Sequence, residues 1–274
     1  MTADLAASEI MQLDGARVAH DAVGRLGARI QRLVLATGAQ AYLKTAPHGG
    51  PEDLALERDR LRWLHGRLPV PEVLAFHATH DTEQLLISAL PGVPAHELTG
   101  DARDGVPALL ADVLRRIHAV ELAGCPFRAT TRDELAAAEA LRAHGAIDEP
   151  AFTAATGLSP AAAIEELHAA PAAAIPLDIS WTHGDFCLPN VLIDHGRVAG
   201  IIDWGLARVG DPARDLTLLE DSLRYNLGDA AVAAFYAAWG PPPPRDLVRY
   251  LYLLDQLSTY VHAAPDATRE ERPS

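Results

Sequence analysis

The apolar residues of this chain follow two periods in turn. Through the first third they alternate or gather in short runs. Residues 28–35, ARIQRLVL, and 41–44, AYLK, read as strands joined by the turn ATGAQ. Pro51 then opens a predicted helix, PEDLALERDRLRWLHGRL, with Leu54, Leu61 and Leu64 along one stripe. Glu57 falls on that stripe too, and a charge on an inward face needs a partner. The stretches VPEVLAFHATHD and TEQLLISAL follow as a pair of strands that end at Pro91-Gly92.

Beyond Pro91 the period lengthens to that of a helix. GVPALLADVLRRIHAV carries apolar residues at 106, 109, 110, 113, 114 and 117, the spacing of a core-facing helix. Further helices are predicted near 133–144, 160–170, 212–223, 229–239 and 245–262, with PPPP at 241–244 as an extended break. The closing APDATREERPS is polar and expected to fray. No internal repeat interrupts the layout. It predicts an α+β protein of two lobes, a small β-rich one over residues 1–90 and a larger helical one over 91–274, with a cleft between them.

Composition narrows the partners. The 274 residues are enough for two such lobes, and a 49% hydrophobic fraction with a mean hydropathy of +0.03 belongs to a globular chain. Much of that fraction is alanine, as in AVAAFYAAW, which favours helix. Twenty-three Lys and Arg against 37 Asp and Glu leave a net charge of −14. Such a surface repels nucleic acid and anionic membrane and draws in cations, so a small cationic molecule is the expected partner. Acidity is also common in soluble proteins and implies no oligomer. Cys125 and Cys187 have neither metal-site nor disulfide-framework spacing, which points to a reducing compartment. The start MTADLAASEIMQLDG has no signal-peptide pattern, and no apolar run reaches the roughly 18–20 residues of a spanning helix. A soluble, cytoplasmic protein is expected.

The chemistry concentrates in WTHGDFCLPN, residues 181–190. Asp185 and Asn190 have the spacing of the kinase catalytic loop H-R-D-x-x-x-x-N, with Gly184 in the place of its arginine. In that chemistry the aspartate orients the attacking hydroxyl and the asparagine holds magnesium. VLIDHGRVAGIIDWG then reads as two strands around a His195-Gly196 turn, a hairpin that returns Asp203 to the neighbourhood of Asn190. Asp203-Trp204-Gly205 stands where a kinase has its D-F-G. A carboxylate and an amide oxygen together are hard ligands suited to magnesium. Lys44 ends a predicted strand, where its ammonium can reach phosphate and also partner Glu57. DAVGRLGARI offers Gly24 and Gly27 in a loop that either covers phosphates with backbone amides or is simply a turn.

In these residues the chain resembles the aminoglycoside phosphotransferase family, and within it the 3'-phosphotransferases. The likeness runs through AYLK, the helix with Glu57, LLISALPG, RRIHAVELAGCPF, the insert GAIDEPAF, and THGDFCLPNVLID followed by IIDWG. It implies a bilobal protein-kinase-like fold with ATP or GTP and Mg2+ between the lobes. Asp185 would be catalytic, Asn190 and Asp203 would hold the metal, and Lys44, fixed by Glu57, would bind the nucleotide phosphates. Ser88, Ala89 and Leu90 would face the adenine, and His183 would be structural. Asp215, in GDPARDL, would brace the catalytic loop, although capping the next helix explains it equally well.

The implied reaction moves the ATP γ-phosphoryl group to an aminoglycoside hydroxyl, the 3'-hydroxyl first among them, and confers resistance. Two other readings stay open: a kinase of another small alcohol such as a macrolide or metabolite, and a non-catalytic nucleotide-binding protein. Departures from the family pattern fall on the acceptor side. Leu206 stands where an arginine is frequent, and FTAATGLSP lacks the insert's usual acids, leaving Asp148 and Glu149. The usual acidic pair near the C-terminus reads Asp255-Gln256.

Overall fold

A computed structural model describes residues 16–23, 28–50, 52–128, 130–177 and 179–261. Gly24, Gly27, Pro51 and the terminal stretches MTADLAASEIMQLDG and APDATREERPS lie outside them. The first part of the chain forms an antiparallel sheet of β1 (Arg17–Val23), β2 (Arg29–Val34), β3 (Gln40–Pro47), β4 (Val73–Ala78) and β5 (Thr82–Ser88), in the order β1-β2-β3-β5-β4. β3 is central, and Lys44 lies opposite Ile30 on β2 and Leu85 on β5. Alternation sorts its side chains. Ala41 and Leu43 join Leu33, Ala75 and Leu86 in a small cluster on one face. Lys44 and Ala46 fall on the other, toward α1 (Leu54–Leu64).

Two early expectations are corrected. The helix begins at Leu54, not Pro51, because the Asp53 side chain accepts the Leu56 amide at 2.7 Å and so sets the first turn. Strand β1 was not foreseen: it pairs with β2 at the sheet edge, and Arg17 to His20 are exposed, so no apolar alternation marks it.

After β5 the chain crosses over through Ser88, Ala89 and Leu90 into β6 (Val93–Pro94), which pairs with β8 (Val191–Asp194). Gly92 makes the crossing at φ +97°, and a Cβ there would stand 2.6 Å from the Ile193 carbonyl oxygen. Only glycine fits. Gly92→Ala is expected to cost about 2–4 kcal/mol of stability, measured by urea unfolding.

The remainder is mostly helical. α2 (Val106–His118) buries Val106, Leu110, Val113, Leu114 and Ile117 of the predicted stripe in one core with Leu61, Trp181, Phe186 and Trp204, while Leu109 is only half-buried against it. A second core gathers α3 (Thr131–Ala143), α4 (Glu149–Thr156), α5 (Pro160–His168) and the last helix, α8 (Arg245–Thr259). α4 was not foreseen. It has eight residues and buries only Phe152, too short a pattern to show a period. β7 (Ser180–Thr182), the hairpin of β8 and β9 (Arg197–Ile201), β10 (Arg208–Gly210), α6 (Ala213–Leu227) and α7 (Asp229–Trp239) contribute to the first core, through Trp181, Val191, Ile201, Val209, Leu219 and Phe235. Among the described residues, no helix is long and apolar enough to cross a membrane.

Candidate active site

β7 delivers the chain to His183 and β10 holds β7 in place, with Thr182 opposite Arg208 and Ser180 opposite Gly210. The loop that follows is built around a buried carboxylate. Asp215, in the first turn of α6, accepts the backbone amides of His183 and Gly184, each at 2.9 Å, and Nε2 of His118 at 3.0 Å. Its side chain is fully enclosed. The N-cap of α6 is Pro212, with no side-chain cap, and the amides that Asp215 accepts belong to the loop, so Asp215 supports the loop and not the helix start. Burial alone would raise the Asp215 carboxyl, but His118, His183 and the amides outweigh burial and hold it below the usual carboxylate range.

His183 packs against Trp204 at 4.4 Å between ring centroids and touches the Ile202 carbonyl oxygen through Nε2 at 3.0 Å. Its Nδ1 accepts the Asp185 amide at 3.2 Å, so the ring fixes the backbone of Asp185. Gly184 has φ +83°, and a Cβ there would lie 2.5 Å from the Leu206 carbonyl oxygen. That close approach explains glycine at the position an arginine holds in the kinase loop. Asn190 Nδ2 then donates to the Asp185 carbonyl at 2.9 Å and to its Oδ2 at 3.2 Å.

The hairpin closes the site. His195 and Gly196, with φ of 46° and 73°, form its turn, and Val191 pairs with Ile201. The Ile202 amide donates to the Asn190 carbonyl at 2.9 Å, which sets Asp203 beside the catalytic loop. Asp203 itself takes φ +67°, a left-handed conformation that glycine adopts most readily and asparagine and aspartate more often than other side chains. From the other side comes Lys44. Its ammonium donates to both Glu57 oxygens, at 2.8 and 2.9 Å, and to Asp203 Oδ1 at 2.9 Å.

Burial would lower the Lys44 ammonium, yet Glu57 and Asp203 hold it above its ordinary value. Burial likewise pushes the Glu57 carboxyl up, against the pull of Lys44. Asp203 ends below the usual range because Lys44 prevails over its desolvation.

Sequence reasoning missed three contributors. His118 is one, visible only once α2 lies beside α6. Arg60, one turn beyond Glu57, donates to the Gly205 carbonyl and so ties α1 to Asp203-Trp204-Gly205; burial and the nearby Arg208 push its guanidinium down to about 10. Glu52 is the third. Burial raises its carboxyl beside Lys44, and its Oε2 is enclosed with no hydrogen-bond partner among the described residues.

The other expected residues are placed as follows. The Ser88 and Ala89 amides donate to the Glu72 and Gln40 carbonyls at 2.9 and 3.1 Å, and Leu90 packs over Gly200. Asp148 caps α4 by accepting the Ala151 amide at 3.1 Å, and its own amide donates to the Tyr260 carbonyl, which brings it to the end of α8. Glu149 is exposed next to it. Asp255 accepts from Arg214 at 2.9 Å, and Gln256 is half-buried beside it.

Comparison with known proteins gives the family and the fold. The family described as "Phosphotransferase enzyme family" matches residues 20–251. The aminoglycoside 3'-phosphotransferase of Niallia circulans is 30% identical over 254 residues, which are 90% of this chain and 95% of that protein. The streptomycin 3''-kinase of Streptomyces griseus is 33% identical over 86% of this chain and 90% of its own. A solved structure of the aminoglycoside phosphotransferase APH(3'')-Id from Streptomyces rimosus, in complex with ADP and streptomycin, superposes with a TM-score of 0.70 at 28% identity, covering 92% of this chain and 98% of that one. The α+β architecture is the kinase-like one of these enzymes.

Proposed function

We propose, from the premise that this chain belongs to the phosphotransferase enzyme family, that it transfers the ATP γ-phosphoryl group to the 3'-hydroxyl of an aminoglycoside and so confers resistance. The observation that carries the reading is the joining of Lys44, Glu57 and Asp203 in one set of contacts beside the loop in which Asn190 holds Asp185. A chain that only bound a nucleotide would need the first set and not the second.

The roles follow from the atoms. Lys44 offers a fixed positive charge for the β and γ phosphates, and Glu57 sets its position. Leu90 would face the adenine with its backbone, since the Ser88 and Ala89 amides are already engaged in the sheet. Asp185 accepts the hydrogen bond of the acceptor hydroxyl and aims its oxygen at the phosphorus. As the bond from phosphorus to the ADP oxygen breaks and the new one forms, the hydroxyl proton passes to Asp185. Asp148, Glu149, Asp255 and Gln256 border the acceptor.

The donor set also fits magnesium. Asn190 spends Nδ2 on Asp185, which leaves Oδ1 as its ligand atom, and Asp203 adds a carboxylate, so both are hard oxygens. Bound there, the ion would neutralise phosphate charge. GTP is accepted as an alternative donor in this reading because recognition runs through backbone groups. The cytoplasm, where ATP and reduced cysteines occur together, is the proposed location.

The identity to the streptomycin 3''-kinase favours a second reading, transfer to streptomycin. One experiment separates the two: mass spectrometry of kanamycin, neomycin, streptomycin and a macrolide after incubation with enzyme, magnesium and ATP or GTP. One added phosphate on kanamycin or neomycin supports the first reading, and one on streptomycin alone replaces it with the second. Phosphate on no aminoglycoside overturns both.

A further inference from the structure

A second set of charges joins three helices and a strand next to the catalytic loop. Arg214 precedes Asp215 on α6, and while Asp215 holds the loop, Arg214 reaches toward α3 and α8. Its Nη1 lies 2.9 Å from Asp255 Oδ1 and its Nη2 lies 2.6 Å from Glu134 Oε2. Arg208, on the strand that pairs with β7, meets the other Glu134 oxygen at 2.7 Å. The Arg214 side chain is 6% exposed, against 38% for Asp255. Two guanidiniums thus match two carboxylates. A planar fork spanning acids from two helices holds both in fixed geometry, and its burial makes the pairing costly to break. Nearby, Leu206 is 47% exposed and its backbone abuts Gly184, so an uncharged side chain stands beside the catalytic loop.

We propose that Arg214 is a specificity-determining residue: by occupying Asp255 it withholds that carboxylate from acceptor ammonium groups, so the site gains nothing from an extra acceptor amine toward α8. The inference rests on the aminoglycoside reading given above and names the class within it. A polycation gains most from a carboxylate that is not already neutralised, and here each one has a guanidinium on it. Specificity then comes from what the site refuses as much as from what it holds.

The test compares neomycin with paromomycin, which differ by one amine exchanged for a hydroxyl, in the wild type and in Arg214→Gln. Calorimetric binding without nucleotide is measured alongside kcat/KM. The wild type is expected to treat the two alike, within about twofold. Arg214→Gln frees a carboxylate, and the preference for neomycin should rise by about fivefold or more in both measurements. Arg214→Lys, whose compact ammonium cannot span both acids, should move the preference the same way by less, which covers the case in which the glutamine variant does not fold. An unchanged preference in a folded variant, with nucleotide affinity intact, overturns the proposal. Turnover of neither compound by the wild type would defeat the 3'-hydroxyl reading instead, and the binding preference would still decide the role of Arg214.

Discussion

Asp185→Asn is expected to lower kcat by about 10³-fold while nucleotide affinity stays within about threefold. In the proposed reaction the substitution removes the proton acceptor and the negative charge at the hydroxyl and changes little else. The loop does not depend on that carboxylate for its shape. Its backbone is held by His183 through the Asp185 amide and by Asn190 through the Asp185 carbonyl, and both contacts use main-chain atoms that the variant keeps. The amide oxygen of an asparagine can still accept from Asn190. The contacts that join Lys44, Glu57 and Asp203, the proposed nucleotide side of the site, run among those three side chains. Steady-state kinetics beside fluorescence titration with ADP would check the split. Retained turnover in the purified variant would remove Asp185 from the chemistry, and a parallel loss of nucleotide binding would make its role structural.

The second large effect concerns a residue that touches no substrate. Asp215→Asn is expected to cost about 3–5 kcal/mol of stability, because two backbone amides and an imidazole lose the buried anion they share. In the fraction that remains folded, kcat/KM should fall by about 10²-fold, since the His183-Gly184 backbone sets the aim of Asp185. The pH dependence tells this role from a generic packing defect. A carboxylate held below its unfolded value contributes stability that is fully present above that value, near pH 4, and is lost as pH falls through the folded one. The stability gap between wild type and variant should therefore be constant above about pH 5 and narrow below pH 4. A gap independent of pH would mean that the charge at 215 contributes nothing. His118→Ala removes one partner of the three and should cost about 1–3 kcal/mol.

Local patterns made much of this molecule legible. The helix stripe of Leu54, Leu61 and Leu64, the hairpin turn at His195-Gly196 and the five-residue step from Asp185 to Asn190 all lie within short windows, where periodicity and turn chemistry speak directly. Glu57 was informative because it broke its own pattern. What stayed hidden depends on contacts made late in the fold. β1 is an edge strand with exposed side chains, and α4 has a single buried residue. The two readings of Asp215 differ only in which amides it meets, and those amides lie more than thirty positions away in the chain. Arg214, Glu134, Arg208 and Asp255 come from four separate elements, and nothing in their spacing says that they meet. The departures from the family pattern at Leu206 and Gln256 do not reveal that Arg208 and Arg214 meet Glu134 and Asp255.

The left-handed backbone at Asp203 has a consequence for how this chain can change over generations. At φ +67° glycine settles most easily, with asparagine and aspartate among the side chains next best suited, and of these three only aspartate supplies a carboxylate. The local backbone therefore tolerates replacements that, with Asp203 as the proposed metal ligand, would silence the protein, and such a descendant would keep a main chain at ease with its position. Selection for solubility or lifetime would let the aspartate drift away. Only a continuing demand for turnover would keep it, so an aspartate found at 203 in descendants of this chain marks a lineage still under that demand.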